Sequence, residues 1–334
     1  MLRTDPSFRG FDKAVPGPAS ISAIIPTYNR GNTIARAIHS VLAQEYPARE
    51  VIVVDDGSSD DTRKLIEPYL GKIRYVYQEN MGVSVARNRG VGEAKYEWIA
   101  FLDSDDYWLP HHLGRMAAAI RATRGRASLY FSDVAYSSGD HTRSLWQRCG
   151  FWIPGTFLFE EDASGWAFMN TQPIMLQSSV IRRSGYLELG GLPPDMLTVE
   201  DTLLFYKLCI TDPVCAVSGC GAVITSDAHS SSRLTKKYHT DTTRHWQNVI
   251  LMYQHLRPYS HKLSHKRRRT LIEYHIASHL SLGKALLRQR RVDGLLSSLM
   301  LAFRMSPALF GKIAFGMARV YLRNRLGRVG RWIG

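Results

Sequence analysis

Four short strand-like runs alternate with helix-like segments along the first third of the chain. The runs ISAII (21–25), VIVV (51–54), IRYVYQ (73–78) and WIAFL (98–102) are separated by stretches with helical apolar spacing. The most apolar runs do not alternate apolar with polar residues, so both of their faces must be covered. Continuous strands separated by helices specify an α/β fold, a mostly parallel central sheet with helices on both faces. Ligands of such sheets settle beyond the carboxyl ends of the strands. Residues 27–30, 55–56 and 103–105 all lie at such ends, so the sequence predicts that they converge.

Finer boundaries follow from local signals. Asn32 is placed to cap a helix over GNTIARAIHSVLAQ, Asp56-Gly57 reads as a turn, and residues 62–70 and 80–95 as a helix and a loop with a helix. Residues 127–136 and 174–182 read as further strands and 198–210 as a helix. Beyond residue 240 the pattern is helical, over roughly 241–257, 264–291 and 292–325. The chain thus divides into a loose arm (1–19), two halves of one α/β domain (20–115 and 116–240), and a helical extension (241–334).

Charge marks the extension off. Residues 1–240 hold 25 Lys and Arg against 26 Asp and Glu, whereas residues 241–334 hold 18 against 3. The whole excess behind the net charge of +14 lies in the last quarter. Cys149, Cys209, Cys215 and Cys220 are too few for a disulfide framework and lack zinc-site spacing, so they read as reduced core residues. No signal peptide is expected at the start, and no run of about 18 apolar residues predicts a membrane span.

The stretch FLDSDDYW (101–108) places Asp103, Asp105 and Asp106 directly after an apolar strand. Uncompensated carboxylates are costly there, and hard anionic oxygens suit Mg²⁺ or Mn²⁺. Asp-x-Asp offers only one or two protein ligands, so water and substrate phosphates would complete the shell. The competing reading is that Asp105 or Asp106 caps the helix after Leu109-Pro110.

SAIIPTYNR, VIVVDDGSSDDT, ENMGVSVARNRGV and WIAFLDSDDYWLPHHL occur in an order and spacing that resembles the family-2 glycosyltransferases of the GT-A fold. The resemblance is continuous over about residues 20–115 and weaker to about 230. It implies an inverting, metal-dependent enzyme that moves a sugar from a nucleotide-diphosphate donor, most simply UDP-linked, to a hydroxyl of a glycan or lipid-linked acceptor in surface-polysaccharide assembly. Residues 20–115 would bind the nucleotide sugar and 116–240 the acceptor. By position, Pro26, Thr27 and Tyr28 would wall the nucleotide pocket, and Asp56 with Asp55 would accept from the base. Gly82, Arg87 and Asn88 would line the donor site. Asp103 and Ser104 would lie near the ribose, and Asp103 and Asp105 would meet the metal. Where many relatives carry an acidic residue, this chain has Arg30, placed to pair with a diphosphate or to be solvated.

TVEDTLLF matches the acidic pair that relatives place at a helix start, making Asp201 the candidate base for the acceptor hydroxyl. Thr198-x-x-Asp201 is equally a capping-box pattern. His229 is a candidate third metal ligand or phosphate contact, and Trp146, Trp152 and Trp166 lie where relatives bind acceptor, though tryptophans also fill cores.

The basic extension interleaves Leu, Met and Phe with Arg and Lys, a composition suited to helices lying on an anionic membrane. The chain is therefore expected in the cytoplasm, peripheral on the inner face of the membrane. A solvated charged surface is the alternative for the tail. Two other functions compete. One is nucleic-acid binding through the tail, against which stand the missing zinc-finger, RNP and reading-helix patterns. The other is a catalytically silent relative that binds nucleotide sugar, against which stand both acidic motifs.

Overall fold

The computed structural model describes residues 18–137, 143–160, 172–225 and 242–329, so most of the predicted arm lies outside the described residues. The first part runs β1 (Ile21–Thr27), α1 (Ile34–Leu42), β2 (Glu50–Asp56), α2 (Thr62–Ile66), β3 (Arg74–Gln78), α3 (Val83–Glu93) and β4 (Trp98–Phe101). There follow β5 (Tyr107–Trp108), α4 (His112–Ala122), β6 (Leu129–Tyr136), α5 (Leu145–Cys149), β7 (Thr156–Phe159), β8 (Ser179–Arg182), α6 (Arg183–Glu188), α7 (Glu200–Thr211) and β9 (Val214–Ile224). The last quarter is helical: α8 (Thr242–Leu256), α9 (His265–Arg288), α10 (Val292–Met305) and α11 (Pro307–Val329).

One sheet orders the strands β3-β2-β1-β4-β8-β6-β9-β5, with β7 also on β9. β1 is buried along its whole length and pairs in parallel with β2 and β4, as the unbroken apolar run requires. The chain winds outward from β1 through β2 to β3, then returns to lay β4 on the other side of β1. The carboxyl ends of β1 and β4 therefore flank a topological switch point, where open α/β sheets form their ligand crevice. Gly90 lets α3 lie hard against β1, since a Cβ there would meet Ile24 Cγ2 at 2.4 Å. That contact sets Arg87, one turn earlier, over the strand ends.

The second half of the sheet is mixed. β8 runs antiparallel to both β4 and β6, while β6 and β9 are parallel. An antiparallel neighbour needs no helical crossover.

Several local expectations change. The strand expected over 174–182 shortens to β8, with a 3-10 turn at Leu176–Ser178 before it. Asn32 does not cap α1; Thr33 holds that position, and the Arg30 carbonyl accepts the N–H groups of Thr33 and Ile34 at 3.0 and 2.9 Å. The helix expected over 62–70 tightens into a 3-10 turn at Glu67–Tyr69, where Pro68 has no N–H to give. The helix expected over 292–325 breaks at Ser306, which is extended because Pro307 follows. All four cysteines are free, with Cys209 and Cys215 buried.

The basic extension is packed onto the α/β body. Met196, Leu203 and Tyr206, on and before α7, share a core with Val249, Met252, Tyr253 and Leu256 of α8 and Leu271 of α9. The helix that carries Glu200 and Asp201 is thus braced by the C-terminal helices.

Candidate active site

β1 and β2 end side by side, with Thr27 in register with Asp55. Asp55 and Asp56, adjacent in sequence, point to opposite faces of the sheet, as a strand's period of two demands. Asp55 accepts the Ser58 N–H at 2.9 Å and the Tyr75 hydroxyl at 2.8 Å, so it shapes the turn after β2. Burial and the Asp55 carboxylate raise the Tyr75 pKa, which keeps that hydroxyl a donor. Asp56 accepts Gln78 Nε2 at 2.7 Å and the N–H groups of Met81 and Gly82 at 2.9 and 2.8 Å, fixing the loop that starts α3. Gly82 takes φ +91°, a conformation side chains disfavour.

At the switch point Arg87 is buried between two carboxylates. Its Nη2 lies 2.7 Å from Asp103 Oδ1 and its Nη1 3.2 Å from Glu200 Oε1. The two carboxylates hold its pKa above the ordinary guanidinium value despite burial. The second oxygen of Asp103 accepts from the Gln177 amide, which the Trp108 indole N–H steadies by donating to the Gln177 carbonyl at 2.7 Å. Thr27 Oγ1, Arg87 Nε and Gln177 Oε1 are buried without a hydrogen-bond partner. An unmet buried polar atom costs about 1–3 kcal/mol, so three at one end of the sheet mark a place built to meet a polar ligand.

Asp105 lies on the other side of the β1 end. Arg30 Nη2 stands 3.7 Å from its Oδ2, and Arg36 Nη2 donates to its carbonyl at 2.7 Å and to Thr225 Oγ1 at 3.1 Å. Asp106 accepts the Thr225 N–H at 2.9 Å and so pins the end of β9, instead of capping the next helix. Helix α4 has His111 at its N-cap, with no side-chain cap bond. The carboxylates expected to converge are therefore linked through the β1–α1 loop: Asn29 N–H donates to Ser58 beside Asp55, and Arg30 faces Asp105.

No group of three His, Cys, Asp or Glu able to hold a metal occurs among the described residues. Asp103, expected as a ligand, has one oxygen on Arg87 and the other on Gln177. Asp105 offers a single carboxylate. A hard divalent ion that takes one protein carboxylate and fills its shell with water and phosphate oxygens fits this set. His229 and Trp166 lie outside the described residues.

The start of α7 supplies the remaining charge. Thr198 does not form the capping box; Val199 is the N-cap and has no side-chain cap bond, while Thr198 Oγ1 meets Asn248 of α8 at 3.1 Å. Val199 takes φ +62°, a strained state for a β-branched residue that persists only where its surroundings enforce it. Burial, and Asp201 beside it, push Glu200 up to about 7, against the pull of Arg87. Asp201 Oδ1 accepts the Thr202 N–H at 2.7 Å.

Other expected residues divide. Tyr28, directly after β1, is 46% exposed, and Pro26 and Ser104 are buried at and just beyond the strand ends. Asn88 faces away into the fold: its amide donates to the Leu192 carbonyl and accepts from Tyr186 and the Leu192 N–H. Trp146 is core, its indole donating to the Pro173 carbonyl at 2.8 Å, whereas Trp152 is 75% exposed. Gln177 and Arg36 were not foreseen, because each meets its partner across about seventy residues of chain with no motif to announce it.

Residues 22–186 match the model for glycosyl transferase family 2. The chain carries a family-2 glycosyltransferase domain. The match spans β1 to α6, and so includes Asp56, Arg87, Asp103, Asp105 and Gln177 but stops before Glu200. Among curated relatives, the putative teichuronic acid biosynthesis glycosyltransferase TuaG of Bacillus subtilis is 45% identical over 92 residues, 26% of this chain and 36% of that protein. An uncharacterized glycosyltransferase of Nostoc is 42% identical over 118 residues, 34% of this chain and 37% of that protein. The chain thus spans little more than a third of these two. The succinoglycan biosynthesis protein ExoO of Rhizobium meliloti is 28% identical over 275 residues, 77% of this chain and 75% of that protein.

Solved structures give the fold. S. aureus TarS 1–349 in complex with UDP-GlcNAc superposes with a TM-score of 0.55 at 18% identity, over 84% of this chain and 90% of that one. The Pyrobaculum calidifontis mannosyltransferase PcManGT, in complex with GDP-Man and Mn²⁺, gives 0.51 at 18% identity over 94% and 84%. The family-2 domain therefore has the GT-A architecture read from the sequence, with a helical extension.

Proposed function

We propose that the chain is an inverting glycosyltransferase that takes a sugar from a nucleotide diphosphate, UDP first, and places it on a hydroxyl of a glycan or lipid-linked acceptor in surface-polysaccharide assembly. The observation that carries this reading is the Arg87–Asp103–Gln177 cluster at the switch point, with unmet polar atoms beside it and the family-2 match around it. The names of TuaG and ExoO support the polysaccharide context, and the TarS and PcManGT complexes support a nucleotide-sugar donor.

In this reading Tyr28 and Asp56 border the base, Asp103 is held in place for the ribose, and Arg30 swings from Asp105 to the diphosphate. Asp105 would hold Mg²⁺ or Mn²⁺, whose charge stabilises the departing diphosphate. Asp201 takes the proton of the acceptor hydroxyl. The freed oxygen attacks the anomeric carbon from the face opposite the diphosphate, and the pair of electrons in the breaking C–O bond leaves with that group. Arg87 keeps Glu200 from rotating into this path. Exposed Trp152, in the half assigned to the acceptor, offers a stacking face for a sugar. The basic extension rests on an anionic membrane surface, which suits a lipid-linked acceptor.

Turnover of UDP- and GDP-sugars by the purified chain tests the reading. Asp201→Asn lowers transfer by about 10²- to 10⁴-fold while donor affinity holds. Equal turnover in wild type and variant would remove Asp201 as the base.

A further inference from the structure

Helix α10 uses one face to pack and leaves another bare. Leu295 and Leu299 lie over Gly283 of α9, and buried Ser298 meets His279 Nδ1 at 3.0 Å. On the bare face Val292, Leu296, Met300 and Phe303 are 55%, 60%, 50% and 51% exposed. Spaced four, four and three residues apart, they share an arc of about 80° on a helix that turns about 100° per residue. Single exposed apolar residues are ordinary; a continuous row of four marks an interaction surface.

The charge around this row is almost wholly positive. Arg288, Arg290, Arg291, Arg304, Lys312 and Arg319 are all exposed, and Asp293 is the one acid between residues 288 and 319. Phe303 meets Phe310 of α11 with ring centroids 5.7 Å apart, so the apolar row reaches the next helix. No helix among the described residues is long and apolar enough to cross a membrane, so these helices can lie on a surface but not span one.

We propose that this face of α10 docks the chain on an anionic lipid bilayer, with Val292, Leu296, Met300 and Phe303 entering the boundary between headgroups and acyl chains. The flanking arginines and Lys312 pair with lipid phosphates. A second copy of the chain is the poorer occupant, because it would set one ring of cations against another. The docked face is coupled to the active site: Leu286 of α9, Ile250 of α8 and Leu295 of α10 pack together, and α8 in turn braces α7. Docking would hold the first turn of α7, with Asp201, at a fixed height above the lipid. This proposal rests on the peripheral-membrane part of the functional reading and not on the transfer chemistry.

Sedimentation of the full chain with vesicles tests it, comparing phosphatidylglycerol-rich with pure phosphatidylcholine vesicles. Wild type sediments with the anionic vesicles, less so in high salt. Leu296→Asp with Met300→Asp lowers the partition by about tenfold, whereas Leu187→Asp, at an exposed leucine of α6, leaves it unchanged. Unaltered thermal unfolding of the double variant shows that the fold is intact. Equal partition of the double variant and wild type overturns this docking face and leaves peripheral association standing. A full chain that sediments with neither vesicle overturns both. A chain that ignores vesicles and self-associates until Leu296 and Met300 are replaced assigns the face to a second copy, which also overturns the proposal. Turnover of a soluble donor and acceptor in the same preparation reports on the transfer chemistry separately.

Discussion

Arg87 Nη2 donates to Asp103 Oδ1 at 2.7 Å, with the arginine side chain only 7% exposed. This pair joins the helix after β3 to the tip of β4, and through the other guanidinium nitrogen it reaches Glu200 on α7, 113 residues away in sequence. A buried cation so placed fixes the geometry of the site, and its loss would strand both carboxylates.

Replacing that cation should therefore be severe. Arg87→Met leaves two partly buried carboxylates without compensation and destabilises the fold by about 3 kcal/mol, read as a fall in the urea midpoint near neutral pH. Adding Asp103→Asn and Glu200→Gln to Arg87→Met removes the stranded charges and restores part of the loss. A midpoint unchanged in Arg87→Met would show that the ion pair is not closed off from water.

Glu200 makes stability depend on pH. Its folded pKa is raised from 4.5 to about 7 by burial and by Asp201. In that window the folded chain holds a proton that the unfolded chain has released, so this group's contribution falls as pH rises. Glu200→Gln removes the dependence, so the variant gains on wild type between pH 5 and pH 8. A difference between the two that stays constant over that range would mean that Glu200 titrates alike in both states.

Gln177 tests whether the second donor to Asp103 matters for chemistry. Gln177→Leu removes the amide that holds Asp103 and also removes an unmet oxygen, so stability changes by less than about 1 kcal/mol. Turnover falls by about tenfold, since a misplaced group near the reacting atoms is felt mainly in kcat. A large loss of stability with kcat intact would make Gln177 a packing residue only.

The parallel half of the fold was legible because unbroken strands and helical spacing leave few alternatives, and the DSD at the tip of β4 announced the site. Its working partners were not. Gln177 reaches Asp103 from 74 residues away and Arg36 reaches the Asp105 carbonyl from 69, and no local pattern encodes such contacts. Asp55 and Asp56 read as a unit in the sequence, yet the strand's pleat sends one to the turn and the other to the α3 loop. The sequence set Asp103 at a metal, but it could not show that Arg87 and Gln177 also reach its two oxygens. In the extension, apolar and basic residues run on so evenly that the break at Ser306 passed unseen, although Pro307 causes it.

The central claim is that the tips of β1, β2 and β4 form one crevice for a cation-bridged nucleoside diphosphate. Calorimetric titration of the full chain with UDP, with and without Mn²⁺, tests it most directly. The account predicts UDP binding strengthened by Mn²⁺, with that gain lost in Asp105→Ala and the remaining affinity lowered in Arg30→Ala. UDP and GDP both failing to bind, or binding that ignores Mn²⁺, Asp105 and Arg30 alike, would contradict it.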